Sequence, residues 1–416
     1  MSKSYQKTIH ETLGRDPVHP FPARMAPGIA LDIISAEPEP IRVLDPMMGS
    51  GTVLAVARAH GHTAVGIDID PLAVLLARVW TTPVHVSRVE HKAAEVLKRA
   101  KDDFSLRRAS ESYPRHADFE TRKFVRYWFD EYARRQLASL AEAIHSVRDD
   151  RVRDALWCAF SRLIITKQSG ASLAMDLSHS RPHKVFHRAP VKPFNKFLAA
   201  VHHVLKNCIL SDQPDQGPAA TVSLGDARNL SIASGTIDLV LTSPPYLNAI
   251  DYIRCSKFSL VWMGYSIAEL SGIRTESVGT ESGDQDANEN EVIKKIIADL
   301  KLTPKLSSRH EGVLAHYIED MRCAVHEAAR VLAPGGKAVY VVGENTVRGT
   351  FIPNAKIVSA VAELCGLKTE SRRARQLPAN RRYLPPPTLQ NAPEALGGRM
   401  RREVILSFTK SASFAP

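Results

Sequence analysis

Four consecutive residues, Ser243-Pro244-Pro245-Tyr246, follow the apolar run 239–242. Two prolines remove two backbone donors and stiffen the turn, so the neighbouring main-chain carbonyls, that of Pro244 first, stand out as fixed acceptors. The Ser243 hydroxyl adds a further polar group, and Tyr246 adds an aromatic face on which a flat ring can stack. An exocyclic amino group on a planar heterocycle needs this combination. A proline-rich strand exit packed by a tyrosine would use the same residues without chemistry. A second motif separates the two: Val43-Leu44-Asp45-Pro46-Met47-Met48-Gly49-Ser50-Gly51-Thr52.

Gly49 and Gly51 stand between a strand-like and a helical run. There glycine lets backbone come close to a ligand, and the helix start offers unpaired N–H groups. A phosphate-binding loop would carry Gly-Lys-Ser/Thr, and no lysine follows Gly51; a dinucleotide fingerprint would carry a third glycine, and position 54 is leucine. What remains is a ligand that wants close backbone but brings no phosphate. Asp45 favours a cationic group on it, such as an amino-acid ammonium, and S-adenosylmethionine has one. Asp68, 17 positions after Gly51 at the end of a strand-like run, is placed to accept both ribose hydroxyls. Asp70 competes for that role but stands before Pro71, where it reads as a helix N-cap. Asp226, with Ala227 after it, follows another strand-like run and is placed to receive the adenine amino group. Taken singly, each of these acids would serve equally well as a cap or turn residue.

The elements that must carry these residues are a strand at 41–44, a helix at 52–60 and a strand at 63–67. This is a βαβ unit of the kind that builds parallel sheets with ligand sites at the C-terminal strand ends. Strand-like runs return at 220–224, 239–242, 338–342 and 404–408, and a helix from about 316 to 332 stops at Ala333-Pro334-Gly335-Gly336. Between 91 and 216 the period is helical and strand signals nearly vanish. The polar, acidic stretch 279–291 reads as a mobile loop. The expected organisation is one α/β domain in two parts, 1–90 and 217–416, interrupted by a helical insert at 91–216.

Composition bounds the rest. The 416 residues allow two or three folding units or one domain with an insertion, and 44% hydrophobic with 24% charged residues is ordinary for a soluble chain. No apolar run approaches the ~20 residues of a membrane span, and the first residues lack the apolar core of a secretion signal, so a cytoplasmic location is expected. Cys158, Cys208, Cys255, Cys323 and Cys365 form no C-x-x-C pair, which argues against a disulfide framework and a cysteine zinc site. The net charge of +11 suggests a polyanionic partner. The segment 91–216 carries 23 Lys/Arg against 15 Asp/Glu, so most of that excess is concentrated in the insert.

Together, DPMMGSGT and TSPPY resemble the motifs of the amino-methyltransferase family of DNA methylases, written DPF-x-GSGT and (D/N/S)PP(Y/F/W). His19-Pro20-Phe21-Pro22-Ala23-Arg24-Met25 is similar to the segment that precedes the cofactor loop in the cytosine-N4 branch. The resemblance covers 19–80 and 222–343 and hardly touches the insert; Met47 departs from the usual phenylalanine. It implies an α/β class I S-adenosylmethionine-dependent methyltransferase, a Rossmann-like seven-stranded sheet with a helical insertion, and S-adenosylmethionine as donor. With the residues read above, the expected cofactor set is Phe21, Asp45, Pro46, Gly49, Ser50, Gly51, Thr52, Asp68, Asp226 and Ala227, and the expected catalytic set is Ser243, Pro244, Pro245 and Tyr246. Serine at the head of SPPY is typical of cytosine-N4 enzymes, with adenine-N6 methylation the alternative. Methylation at cytosine C5 is excluded, because it uses a cysteine beside proline and none of the five is so placed.

The expected partner is double-stranded DNA, with room for a cognate restriction endonuclease and no membrane. In a duplex the target amine is out of reach, so the base would be flipped out and stacked on Tyr246. Lys167, Ser169, Arg181 and Lys184 in the insert, with Arg381 and Arg382 from the basic set that includes Arg372, Arg373 and Arg375, are the candidate DNA contacts. A polar loop between helices would account for the first group equally well. His179, His183 and His187 are four apart, but Pro182 disrupts a regular helix there, so no metal is expected. Rival functions are an RNA methyltransferase, an inactive DNA-binding protein on a methylase scaffold, and an oxidoreductase.

Overall fold

A computed structural model describes residues 7–22, 24–175, 177, 182–211, 217–247, 252–280, 290–300, 307–347, 350–376 and 402–411. Seven strands form one sheet: β1 (Arg42–Asp45), β2 (Thr63–Asp68), β3 (Ala220–Leu224), β4 (Ile237–Thr242), β5 (Leu332–Gly343), β6 (Leu367–Gln376) and β7 (Arg402–Lys410). Their order is β6-β7-β5-β4-β1-β2-β3. Pairing is parallel for β1 with β4, β4 with β5 and β2 with β3. It is antiparallel where β7 enters between β5 and β6. The expected α/β class and mostly parallel Rossmann-like sheet are what the chain forms.

The chain divides into two compact units. The first comprises Met1–Pro40, Met48–Leu224 and Asp251–Arg274. Here β2 is buried through Ala64–Ile67, and Gly66 lies so close to Met48 and Leu54 that a Cβ would overlap both. The helix Thr52–Ala59 starts at Gly51, whose φ of +84° is left-handed and whose added Cβ would stand 2.9 Å from that of Ala77. Asp70 caps the helix Pro71–Thr81, with Pro71 at its first position as the sequence suggested.

The helical stretch lies within this unit and has no core of its own. Leu72, Leu76 and Trp80 of Pro71–Thr81 share one apolar cluster with Leu156 and Phe160 of Asp150–Ile164 and with Phe258 and Trp262. The helical period announced helices in this stretch, while the partner of each apolar face is a tertiary matter. Within the 91–216 stretch one strand pair was missed: Ala174–Met175 pairs antiparallel with His183–Lys184.

The second unit comprises Ile41–Met47, Gly225–Ile250 and Thr275–Pro416. Val43 pairs with Leu239 and Leu44 with Val240, and all four are buried. Tyr340 of β5 meets Phe408 of β7 edge to face at 6.1 Å. The helix Ser308–Val331 begins earlier than the sequence pattern implied. The acidic stretch is also shorter than a 279–291 loop, because Asn290 caps a helix, Glu291–Asp299. Residues 281–289 lie outside the described residues.

Candidate active site

The glycine motif is built from short backbone contacts. In the first unit the Met48 amide donates to the Ile67 carbonyl at 3.1 Å, and the Gly49 amide donates to Asp68 Oδ2 at 2.8 Å. Asp68 Oδ1 accepts the Asp70 amide at 2.9 Å. The proposed ribose acid thus fixes the loop itself, and burial raises its carboxyl above the ordinary value. Asp70 accepts the Leu72 amide at 2.8 Å and the Ser256 hydroxyl at 2.5 Å. Burial first, then the neighbouring Asp68 charge, push its carboxyl up to about 7, while Ser256 opposes the rise.

Ser50 and Thr52 are buried, and among the described residues neither hydroxyl has a hydrogen-bond partner. Two orphaned polar atoms in a glycine loop with no room for a side chain at position 51 fit a polar ligand that approaches the backbone closely. Phe21 is buried, 6.2 Å from the Tyr252 ring. Its segment is held by His19, whose Nε2 lies 3.0 Å from Ser161 Oγ, which in turn lies 2.8 Å from Ser259 Oγ. Burial holds the His19 imidazole neutral. Tyr252 and the serine pair were not singled out in the sequence, because they come from helices far along the chain.

In the second unit Asp45 ends β1 fully buried, with Pro46 buried beside it. The Thr242 hydroxyl donates to its Oδ1 at 2.7 Å, and the Met47 amide donates to the same atom at 3.2 Å. The Ser243 hydroxyl donates to the Val341 carbonyl of β5 at 3.0 Å. Among the described residues no hydrogen bond takes the Pro244 carbonyl. The Pro245 carbonyl accepts the hydroxyl of buried Tyr317 at 3.3 Å, which fixes the turn from below. Gly279, at φ +81°, packs against the Tyr246 carbonyl and the Tyr317 ring. Tyr246 itself is half-buried.

Asp226 has company that the sequence did not reveal. Both its oxygens accept from the Arg228 guanidinium, at 2.6–3.1 Å, and Oδ1 also accepts the Arg228 amide at 2.8 Å. Arg228 reaches on to Asp320 Oδ1 at 2.5 Å and the Glu276 carbonyl at 2.6 Å. Ala227 beside it is buried. An arginine two residues from the acid was visible, but Asp320 is 92 residues away.

Of the candidate DNA contacts, the structure brings three into one neighbourhood. Ser169 forms a β-bridge with Met175, Met175 belongs to the ribbon that carries Lys184, and Lys167 is exposed two residues before Ser169. Arg181, Arg381 and Arg382 lie outside the described residues, as does His179. Arg375 is committed elsewhere, in a 2.6 Å ion pair with Glu403 across β6 and β7. Among the described residues no cluster of three His, Cys, Asp or Glu could hold a metal ion, and no helix is long and apolar enough to cross a membrane.

No family model matches the chain. In sequence it is 25% identical over 371 residues to the type II methyltransferase M.MvaI of Kocuria varians, over 82% of this chain and 79% of that protein. It is 23% identical over 373 residues to the type II methyltransferase M.AvaI of Anabaena variabilis, over 79% of this chain and 73% of that protein. Among solved structures, an S-adenosylmethionine-dependent methyltransferase of Methanosarcina mazei matches 91% of this chain and 97% of its own, at 10% identity and a TM-score of 0.32. In fold the chain is α/β with a seven-stranded, mostly parallel Rossmann-like sheet, and in sequence it is similar to type II methyltransferases.

Proposed function

We propose that the chain moves a methyl group from S-adenosylmethionine to the exocyclic N4 amine of cytosine in double-stranded DNA, on a base flipped out of the duplex. The observation that carries this reading is the state of Ser243. Its only hydroxyl proton goes to the Val341 carbonyl, so its lone pairs can only accept, and an amine N–H is what they can accept from. The Pro244 carbonyl is a second acceptor on the same rigid turn. Two acceptors on the two amine hydrogens orient the nitrogen and draw it out of conjugation with its ring, which exposes the lone pair for attack.

The glycine loop, Asp68 and Phe21 would hold S-adenosylmethionine, which would supply the sulfonium methyl. Transfer to the amine would break the S–C bond as the N–C bond forms and leave a proton for the nitrogen to shed. Tyr246 stacks the extruded base, and Tyr317 holds the turn against recoil. Lys167, Ser169 and Lys184 of the 91–216 insert contact DNA, and a restriction endonuclease with the same target is the natural companion. The amine of adenine N6 would satisfy the same acceptors; serine at the head of the turn favours cytosine. The test is to methylate duplex DNA with the purified chain, digest it to nucleosides and identify the product by mass. N4-methyldeoxycytidine is expected, whereas N6-methyldeoxyadenosine would replace the base assignment and no methylated nucleoside would overturn the reading.

A further inference from the structure

One face of the first unit mixes exposed cations with exposed apolar side chains on a firmly held backbone. Tyr127, near the end of the helix Phe119–Trp128, is 55% exposed, and Met175 and Val185 are 41% and 46% exposed. The Lys184 ammonium sits 5.1 Å from the centre of the Tyr127 ring. Lys123 and Arg126 are exposed on the same helix, and His183, His187 and Arg188 are exposed on and after the ribbon. Loose packing does not explain the exposure of the apolar residues. Tyr127 abuts Trp128 edge to face at 4.9 Å, and Trp128 abuts fully buried Phe258 at 5.0 Å. The Leu173 amide donates to the Trp128 carbonyl at 2.8 Å, and the Val185 amide donates to the Leu173 carbonyl at 2.9 Å. The ribbon is thereby fastened to the helix that presents Tyr127.

We propose that Tyr127 and the ribbon Ala174–Met175/His183–Lys184 form the surface that enters a groove of duplex DNA. The inference rests on the chain acting on DNA and names the face by which it does so. A two-stranded ribbon fits a major groove roughly 12 Å wide. Lys184, Lys123 and Arg126 lie where phosphates line such a groove, and Met175, Val185 and the Tyr127 edge meet sugars and base edges. Because Lys184 covers one face of Tyr127, the ring acts as a wall contact and not as a stacking platform. A duplex offers phosphates to these cations, of which Lys123 has a surface ion pair with Glu120 at 3.8 Å, and flat apolar edges to the exposed side chains. A second copy of the chain meeting the same face would set cation against cation, which disfavours self-association there.

The experiment measures binding of the full chain to a labelled duplex carrying its target, across a salt series, with S-adenosylmethionine affinity recorded in parallel. Tyr127→Ala is expected to weaken duplex binding about fivefold to tenfold. Lys184→Ala should make the dependence of log K on log salt shallower by about 0.9. Both should leave cofactor affinity and thermal midpoint near wild type, and Leu198→Ala, an exposed apolar position on the helix Pro193–Asn207, should change neither binding nor slope. Wild-type affinity and slope in both variants, with DNA methylation intact, would overturn this surface and leave the function standing. A wild-type chain that binds no duplex would defeat the function itself. The surface is equally overturned if the variants lose single-stranded RNA binding alone, or if Tyr127→Ala abolishes a dimer and leaves duplex affinity unchanged.

Discussion

The hydroxyl of Thr242 donates to the carboxylate of Asp45 at 2.7 Å, joining the last residues of two parallel strands. Asp45 opens the glycine motif and Thr242 immediately precedes Ser243, so one hydrogen bond sets the end of the strand before the glycine loop relative to the start of the Ser-Pro-Pro-Tyr turn. Both residues are buried, which makes the bond costly to lose. Thr242→Val keeps the shape and removes the donor. It should cost about 1–3 kcal/mol of stability and weaken S-adenosylmethionine binding severalfold, whereas Thr242→Ser restores both. Calorimetric titration with the cofactor checks this, and unchanged affinity in the valine variant would detach Asp45 from the cofactor.

Gly51 combines two constraints that usually occur apart. Its φ of +84° disfavours any L side chain, and an added Cβ would stand 2.9 Å from the Ala77 Cβ on the next helix. Gly51→Ala should therefore destabilise the chain by about 1–3 kcal/mol and abolish cofactor binding even under conditions where the protein stays folded. Gly61, at φ +80° with open space where a Cβ would stand, serves as the comparison. There alanine carries the backbone strain alone and should leave cofactor affinity intact.

The motifs were legible in the sequence because their chemistry is local. Glycines at 49 and 51, prolines at 244 and 245 and the cap at Asp70 each constrain the backbone within a few residues, so their types alone announce the turn. What holds those turns was not legible. Tyr317 reaches Pro245 across 72 residues and Asp320 reaches Arg228 across 92, and neither pairing leaves a trace in local spacing. The insert shows the same division. Its apolar period revealed helices, but that Phe160 and Trp80 share a core follows only from tertiary packing. The two-residue strands at 174–175 and 183–184 are too short to produce an alternating pattern.

Asp70 gives the fold a dependence on pH whose sign is fixed by its environment. Its carboxyl in the folded chain is pushed up to about 7, above the ordinary value of 3.8. The folded state therefore holds the proton more tightly than the unfolded chain does. The resulting stabilisation is complete below about pH 4 and is lost as pH rises through 7, a change on the order of a few kcal/mol. Asp70→Asn retains an acceptor for the Leu72 amide but cannot ionise. Urea unfolding at pH 5 and pH 8 should show a smaller difference in the variant than in wild type. Asp68, whose carboxyl is also raised by burial, keeps some slope in both. Equal slopes would mean that Asp70 is ionised throughout.

Ser243 and Tyr317 act on the same turn in different ways, and kinetics should separate them. Ser243→Ala removes the proposed acceptor for the target amine, so kcat on DNA should fall about tenfold to a hundredfold while S-adenosylmethionine affinity is unchanged. Tyr317→Phe removes only the hydroxyl that holds the Pro245 carbonyl and keeps the ring packed beside Gly279. Its kcat should fall less, and the double variant should lose less than the two single losses combined, since a turn without its acceptor gains little from being held. Tyr246→Ala should instead raise KM for DNA, because it removes the face proposed to capture the extruded base. Steady-state kinetics on a duplex substrate decide among these, and a Ser243→Ala variant that methylates at the wild-type rate would remove the acceptor role on which the cytosine reading depends.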